Sequence, residues 1–470
     1  MTERRPNILL LVSDQHRGDW MPYDGETKKK QGTEDLHLNM PEIRGLMDRG
    51  TAFTCAVSPS PVCAPARACL ASGRRYRNCR VYQNNINYDT ALPTFYGMLS
   101  ADGYYVSGVG KFDLNKGDLT WGEDGFHEAL QRMGFSDAKD SEGKMDAVWA
   151  SMMGQPGPYG KVLEKAGFLK AYSEDMMSRG HGTDPAPVPP ELYADNWIGA
   201  RACRMIAEAP KDKPWFIQVN FSGPHDPWDV TEEMRNAVKN REMPVAADCT
   251  GQTQNQDIRR NYAAMIENID RLIGECLKTL DETGERDHTL VIYTADHGEM
   301  MGDHDMYGKS KPEQGSIMIP MVVDASCFGS AGGRVNNTPV ELQDLAATCL
   351  DYAGVKPSAK LESVSLRPVV EGKEEKVRSY AISELLLKDK KNPFDAFAAI
   401  TDGEWKLIMK NRLPDRLYHI AEDPFEMNDL AESHPEIVER LRQDFADRGQ
   451  KPNPMIEAYK KSFRVEKERN

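Results

Sequence analysis

A chain of 470 residues with a formal net charge of −14 is too long for one small core and too acidic for a broad nucleic-acid surface, which needs Lys and Arg to neutralise phosphates. With 40% hydrophobic and 28% charged residues its composition is that of an ordinary globular protein, so disorder is not the default. The acidity does not bar a small anionic ligand, because a local group of Arg, Lys and metal dominates the field at contact distance.

From the N-terminus, Asn7 to Val12 reads as a buried strand, and its apolar part, Ile8 to Val12, is too short for a signal-peptide core. No later stretch reaches the length of a membrane span. Nine cysteines, scattered without a close-spaced framework, read as thiols of a reducing compartment, so a cytoplasmic location is expected. A helix is predicted from Pro41 to Arg49, and a strand from Tyr104 to Val109. Met152 to Pro190, rich in Gly, Pro and Met, is expected to be a long loop, either an excursion near a pocket mouth or a surface insertion. Further strands are predicted at Trp215 to Phe221, Thr289 to Thr294 and Pro320 to Val323, with helices at Leu192 to Glu208, Arg259 to Thr283 and Val340 to Ala353, the last stopped by Gly354. After the charged run Glu371 to Lys376 come short strand candidates at Phe397 to Thr401, Trp405 to Met409 and Arg416 to Ile420, then a helix from Pro435 to Asp447. The expectation is an α/β fold: a large mixed, mostly parallel sheet flanked by helices over residues 1–375, and a small C-terminal α+β domain with an antiparallel sheet over 376–470.

Four strands run directly into chemically capable residues: Asp14-Gln15, Gly110-Lys111, Pro224-His225 and Asp296-His297. Ligands bind beyond the carboxyl ends of strands in open α/β sheets. One such end has little weight, since polar residues follow any strand as the chain surfaces; four together make a site. Within Cys63-Ala64-Pro65-Ala66-Arg67, Pro65 favours a first helical turn, which puts Cys63 at a helix N-terminus suited to an anion. Arg67, one turn on, projects to the same side. Alone, these residues fit a buried structural Cys beside a solvated Arg equally well. Cys55, Cys69 and Cys79 read as core thiols. Asp14-Gln15 and Asp296-His297 offer two carboxylates, an amide oxygen and an imidazole, donors for a divalent cation if folding joins them. Each pair singly also suits a turn or cap.

In order, Asp14-Gln15, Cys63-Ala64-Pro65-Ala66-Arg67-Ala68-Cys69-Leu70-Ala71-Ser72-Gly73, Val109-Gly110-Lys111, Gly223-Pro224-His225-Asp226-Pro227 and Asp296-His297-Gly298-Glu299 with Lys309 downstream resemble the sulfatases of the alkaline phosphatase superfamily. The resemblance runs on through Asp402 to Ile408 and Leu417 to Pro424. It implies that a maturation enzyme oxidises Cys63 to formylglycine, whose hydrated aldehyde is a gem-diol nucleophile. Asp14, Gln15, Asp296 and His297, with the diol made from Cys63, would then hold one divalent cation. Calcium is the first choice, with manganese or magnesium as alternatives, because the His297 imidazole is softer than the Asn that many members carry there. Arg67, Lys111 and Lys309 would put positive charge where the reaction develops negative charge, and His225 or Lys309 would protonate the leaving alcohol. One diol hydroxyl would attack sulfur to give a covalent sulfo-enzyme; the second would lose its proton and the hemiacetal expel sulfate, which a thiol cannot do.

The family commonly reads Gly-Lys-Trp-His-Leu where this chain has Gly110-Lys111-Phe112-Asp113-Leu114, so Asp113 occupies the place of a His assigned to the diol. A carboxylate there can accept the proton but adds negative charge to an anion site. Val81-Tyr82-Gln83-Asn84 resembles the phosphonate monoester hydrolases, in which the counterpart of Asn84 contacts the anionic head of the substrate; that group lacks a Lys at position 111. Choline sulfatases share the Asp-His pair and the spacing from Asp303 to Lys309. Hydrolysis of a sulfate ester of a small organic molecule or sugar is the first reading. Phosphodiester or phosphonate hydrolysis by the same site is the second, and a catalytically silent, metal-stabilised binding protein the third. Trp228 is expected to line the substrate pocket, where Trp121, His181 and Asp229 could join it, whereas Trp197 reads as core. Neither nucleic acid nor membrane is an expected partner.

Overall fold

The structure is a computed structural model that describes residues 4–250, 252–386, 396–410 and 413–448. Its frame is an eight-stranded sheet in the order β5-β4-β6-β1-β7-β8-β2-β9. These strands are β1 (Asn7–Asp14), β2 (Thr51–Phe53), β4 (Tyr105–Gly110), β5 (Asp137–Asp140), β6 (Trp215–Pro224), β7 (Thr289–Ala295), β8 (Met321–Asp324) and β9 (Arg334–Asn336). Two short strands, β3 (Ala56–Val57) and β10 (Val340–Glu341), pair beside it. β5, β4, β6, β1 and β7 run parallel; β8 is antiparallel to both its neighbours.

β1 shows why the centre is a buried parallel sheet. Leu9 and Leu11 join the core on one face, Ile8, Leu10 and Val12 the core on the other, and all five are fully buried. A continuous apolar run is what a strand covered on both faces requires, and each such side chain contributes roughly 1.5–3 kcal/mol. Helices Pro41–Arg49, Ala194–Glu208 and Gln252–Glu282 lie against the first face, and helices Cys63–Ser72, Phe95–Ala101 and Asp344–Tyr352 against the second. Among the described residues no helix is long and apolar enough to cross a membrane.

A four-stranded antiparallel sheet follows, ordered β11 (Ala381–Leu385), β12 (Phe397–Thr401), β13 (Lys406–Lys410), β14 (Arg416–Tyr418). One face packs Ala381, Phe397, Ala399 and Ile408 on Val57, Val62, Ile317 and Met318 of the main body; the other packs Ile382, Ile400 and Leu407 on Val438 and Leu441 of helix Pro435–Asp447. Ion pairs rivet this seam. Arg416 holds Glu313 (2.8 Å), Arg378 and Arg448 each reach Glu341 Oε2 at 2.7 Å, and Glu426, paired with Lys406 (2.5 Å) on the sheet's own side, accepts from Gln314 N (2.6 Å) across the seam.

Two expectations need correction, and one strand is not foreseen in the sequence. Residues 152–190 are no open loop: helices Pro158–Ala166 and Leu169–Ser178 bury Tyr159 and Leu163, then Tyr172 and Met176, each pair four residues apart. Pro158 starts the first, and Gly167, at φ 80°, ends it. The helix expected from Val340 begins only at Asp344, because Val340 and Glu341 pair with Ala56 and Val57 in parallel. β11 had no apolar alternation to reveal it, since Ser383 and Glu384 are buried alongside Ile382 and Leu385.

Candidate active site

The carboxyl ends of β1, β4, β6 and β7 meet the start of helix Cys63–Ser72. That helix is buried at all ten positions, which its small, Ala-rich side chains allow, and Gly73 ends it in the left-handed conformation at φ 62°. Cys63 is its first residue and is fully buried. Around Cys63 Sγ stand Lys309 Nζ at 2.8 Å, His297 Nε2 at 3.2 Å, Asp14 Oδ1 at 3.6 Å and Lys111 Nζ at 3.8 Å. Burial and Asp14 act to raise the thiol pKa, yet Lys111, Lys309 and His297 outweigh them and bring it down to about 5. Burial instead pushes the Cys55 thiol up to about 12.

Asp14, Cys63, Asp296 and His297 each offer a ligand atom, all within 4.8 Å of one another. Gln15 stands beside them through its backbone N–H, which bonds Asp296 Oδ1. Its side-chain nitrogen donates to Asp226 Oδ1 (3.1 Å) and to Glu299, which leaves its buried Oε1 with no hydrogen-bond partner. Gln15 has φ 71°, an uncommon conformation for a non-glycine residue. Asp296 Oδ1 accepts from the backbone N–H groups of Gln15 (3.0 Å) and His297 (2.9 Å), and Asp296 Oδ2 from Arg67 Nε (2.8 Å). His297 Nδ1 lies 3.0 Å from Gly298 O, which anchors the ring with Nε2 towards Cys63; in the neutral imidazole with its proton held at Nδ1, Nε2 is the nitrogen that can ligate a cation. Two buried carboxylates, an orphaned amide oxygen and an oriented imidazole fit a hard to borderline divalent cation. Burial opposes ionisation of Asp14, but Lys111, His225, Lys309 and Arg67 hold its pKa well below the usual range.

A cationic wall faces this nest. Gly110, at φ 100°, turns the chain at the end of β4 where a Cβ would overlap Asn220 O, and so presents Lys111. Lys111 pairs with Asp14 and stands 3.4 Å from Asp113. Asp113 is buried, with φ 55°; its Oδ2 also takes Lys116 (3.0 Å), while its Oδ1 has no partner. Burial works against the Asp113 charge, and Lys111, Lys116 and Arg67 overcome it, keeping the carboxyl ionised far into acid. Lys116 in turn reaches Asp146 (2.9 Å). His225 Nε2 lies 2.6 Å from Lys309 Nζ, with Nδ1 turned to Asp226. Burial lowers and the Cys63 sulfur raises the Lys309 pKa, for a net upward shift.

Thus Asp14, Gln15, Cys63, Arg67, Lys111, Asp113, His225, Asp296, His297 and Lys309 all converge. Asn84 sits at the same place in a different posture: its Oδ1 accepts from Ala64 N (3.1 Å) and caps the helix start. Trp228 is 2% exposed and belongs to the core, its ring against His181 and Tyr307 at centroid distances of 5.1 and 5.5 Å. Trp121 and Asp229 are buried too, the latter paired with Lys144, so of the expected pocket residues only His181 is exposed. Lys116, Asp146 and Lys144 lie outside every motif of the sequence.

The sequence profile described as Sulfatase matches residues 6–355. The chain belongs to the sulfatase family. A second profile, described as the N-sulphoglucosamine sulphohydrolase C-terminal region, matches residues 302–451. Membership makes the protein a sulfuric ester hydrolase. Among curated relatives, the choline-sulfatase of Rhizobium meliloti (strain 1021) is 26% identical over 468 residues, covering 92% of this chain and 84% of its own. The arylsulfatase of Clostridium perfringens is 24% identical over 477 residues, covering 93% of each. Among solved structures, the phosphonate monoester hydrolase of Agrobacterium radiobacter superposes with a TM-score of 0.77 at 23% identity, covering 94% of this chain and 95% of its own, a likeness of fold.

Proposed function

We propose that this sulfatase hydrolyses a sulfate monoester of a small organic molecule or sugar, with Cys63 matured to formylglycine as the source of the nucleophile. The observation that carries the reading is the seat of Cys63, at a helix start with its side chain between the Asp14, Asp296 and His297 donors and the ammonium of Lys309. A divalent cation held by Asp14, Gln15, Asp296, His297 and the residue at position 63 would acidify a hydroxyl there and draw charge from the anion; calcium is favoured and manganese or magnesium fit the same donors. Arg67, fixed on Asp296 and on Asn220 Oδ1 (3.1 Å), keeps one guanidinium nitrogen without a hydrogen bond, so its charge stays available to the site. Lys111 and Lys309 flank position 63 and supply fixed positive charge to the sulfate oxygens. The 2.6 Å His225–Lys309 pair stores the proton that the departing oxygen needs. Asp113, held ionised by Lys111 and Lys116, fixes the Lys111 ammonium beside position 63.

The reading includes a maturation enzyme that oxidises Cys63 and a cytoplasmic setting, supported by nine free thiols. Its test is the mass of the tryptic peptide from Gly50 to Arg67 in protein from the native host, together with turnover of matched aryl sulfate and aryl phosphodiester. A mass shift from thiol to aldehyde with faster sulfate turnover is expected. An intact thiol in active protein sinks the formylglycine reading, and faster phosphodiester turnover sinks the substrate class.

A further inference from the structure

We infer that Lys144 is a positioning residue for the leaving-group acid, a role that rests on the reading of His225 and Lys309 given above. Lys144 opens helix Lys144–Met152 and is 3% exposed. Its Nζ donates to His225 O (2.9 Å) and to Pro227 O (3.0 Å), pairs with Asp229 Oδ1 (2.6 Å), and lies 3.2 Å from Met265 Sδ. One ammonium therefore ties down the turn His225-Asp226-Pro227 on either side of Asp226. The imidazole leaving that turn is the group whose Nε2 meets Lys309 Nζ. Asp195 secures the strand end leading into the turn, accepting from Ser222 N (2.7 Å) and Gly223 N (3.1 Å).

The same helix start touches the other half of the cationic wall. A Cβ at Gly143 would meet Lys111 Cε at 3.0 Å, and Asp146 takes Lys116, which takes Asp113. Three neighbouring positions thus set the placement of Lys111, of the Asp113–Lys116 pair and of His225. Burying an ammonium is costly unless it is paired and hydrogen-bonded, and Lys144 receives a carboxylate and two carbonyls, two of these three acceptors belonging to the turn itself.

Placement of an acid matters only when the departing oxygen needs a proton. A nitrophenolate leaves unaided, whereas a phenolate or alkoxide of high pKa does not, and a displacement of about 1 Å can cost about 100-fold in rate. The role therefore has a signature that general loosening lacks. Lys144→Met, Lys144→Arg and the double variant Lys144→Met/Asp229→Asn, fully matured, are compared with wild type on 4-nitrophenyl and phenyl esters of whichever class, sulfate or phosphodiester, the wild type turns over. The double variant removes both charges together, so Asp229 is not left buried alone, and Lys144→Arg keeps the charge. The expected result is a loss of about 100-fold in kcat on the phenyl ester against less than about fivefold on the nitrophenyl ester for both Met variants, with partial recovery in Lys144→Arg. Equal losses on the two esters, or no loss, in folded variants overturns the role. Failure of the underlying reading shows in the wild type instead, as turnover of neither ester class, and ends both.

Discussion

Two clusters of buried charge invite comparison: the site beneath Cys63 and the seam around Glu341. At the seam each carboxylate oxygen is spent. Glu341 Oε1 accepts from Ile382 N (2.9 Å) and Oε2 from Gln343 (2.6 Å), Arg378 and Arg448, while Asp344 takes Glu341 N (2.8 Å) and Val364 N (2.9 Å). At the site Gln15 Oε1, Asp113 Oδ1 and one Arg67 nitrogen have no hydrogen bond although all are buried. A filled network rigidifies, whereas an unfilled buried polar group costs stability and marks a place where something else must bind or react. The two clusters use the same residue types, but around Glu341 the atoms left over are Gln343 Oε1 and Arg378 Nε while every carboxylate oxygen is taken, whereas at the site a carboxylate oxygen itself, Asp113 Oδ1, is left without a hydrogen bond.

Asp296→Ala should break the comparison hardest, because it removes a cation donor and strands Arg67. Loss of kcat/KM by about 1,000-fold or more is expected, with loss of bound cation by elemental analysis; retained activity would remove the site from consideration. Glu341→Gln should do the reverse, lowering unfolding stability by about 3 kcal/mol in urea melts while turnover per folded molecule stays unchanged. Its pH dependence has a definite sign. Burial opposes the Glu341 charge but Arg378 and Arg448 hold its pKa below that of the unfolded chain. The stability it contributes is therefore full above the unfolded value of about 4.3 and drains away as pH falls further, a limb that Glu341→Gln should flatten.

Addition of calcium or manganese to chelated protein should raise stability by about 2.7 kcal/mol at a hundredfold excess over Kd and restore turnover. In Asp296→Ala the same addition should leave the melt unmoved. The smallest change expected is Asn84→Ala, about 1 kcal/mol for a lost cap. A tenfold or larger rise in KM would instead show that Asn84 leaves Ala64 to hold substrate.

What could be read in the chain follows from what is local. β1 and β7 declare themselves because strands buried on both faces are near-continuous apolar runs, β6 does so despite Gln218 and Asn220 within it, and residues directly after them inherit their placement. Cys63 and Arg67 share one helical turn, so their convergence is written in consecutive residues. Lys144 is invisible by the same logic: it reaches its partners with a long side chain across the fold, and no spacing announces the contact. Lys116 lies only three residues from Asp113, but its second partner, Asp146, is 30 residues on. Adjacency also misled, since Trp228, three residues after His225, points into the core while His225 faces Lys309. Around Pro158 and Gly167 the eye takes helix punctuation for loop, although Tyr159, Leu163, Tyr172 and Met176 carry the helical period.

The riveted seam has a mechanical meaning. Glu426 takes Gln314 N (2.6 Å) as well as Lys406, and the segment it grips lends backbone carbonyls to the loop after β7, Ser316 O to Gly298 N (2.9 Å) and Gly315 O to Glu299 N (2.7 Å). The C-terminal sheet is thus the abutment against which His297 is braced: cutting it away would leave every donor in the chain and slacken the arch that holds them in register.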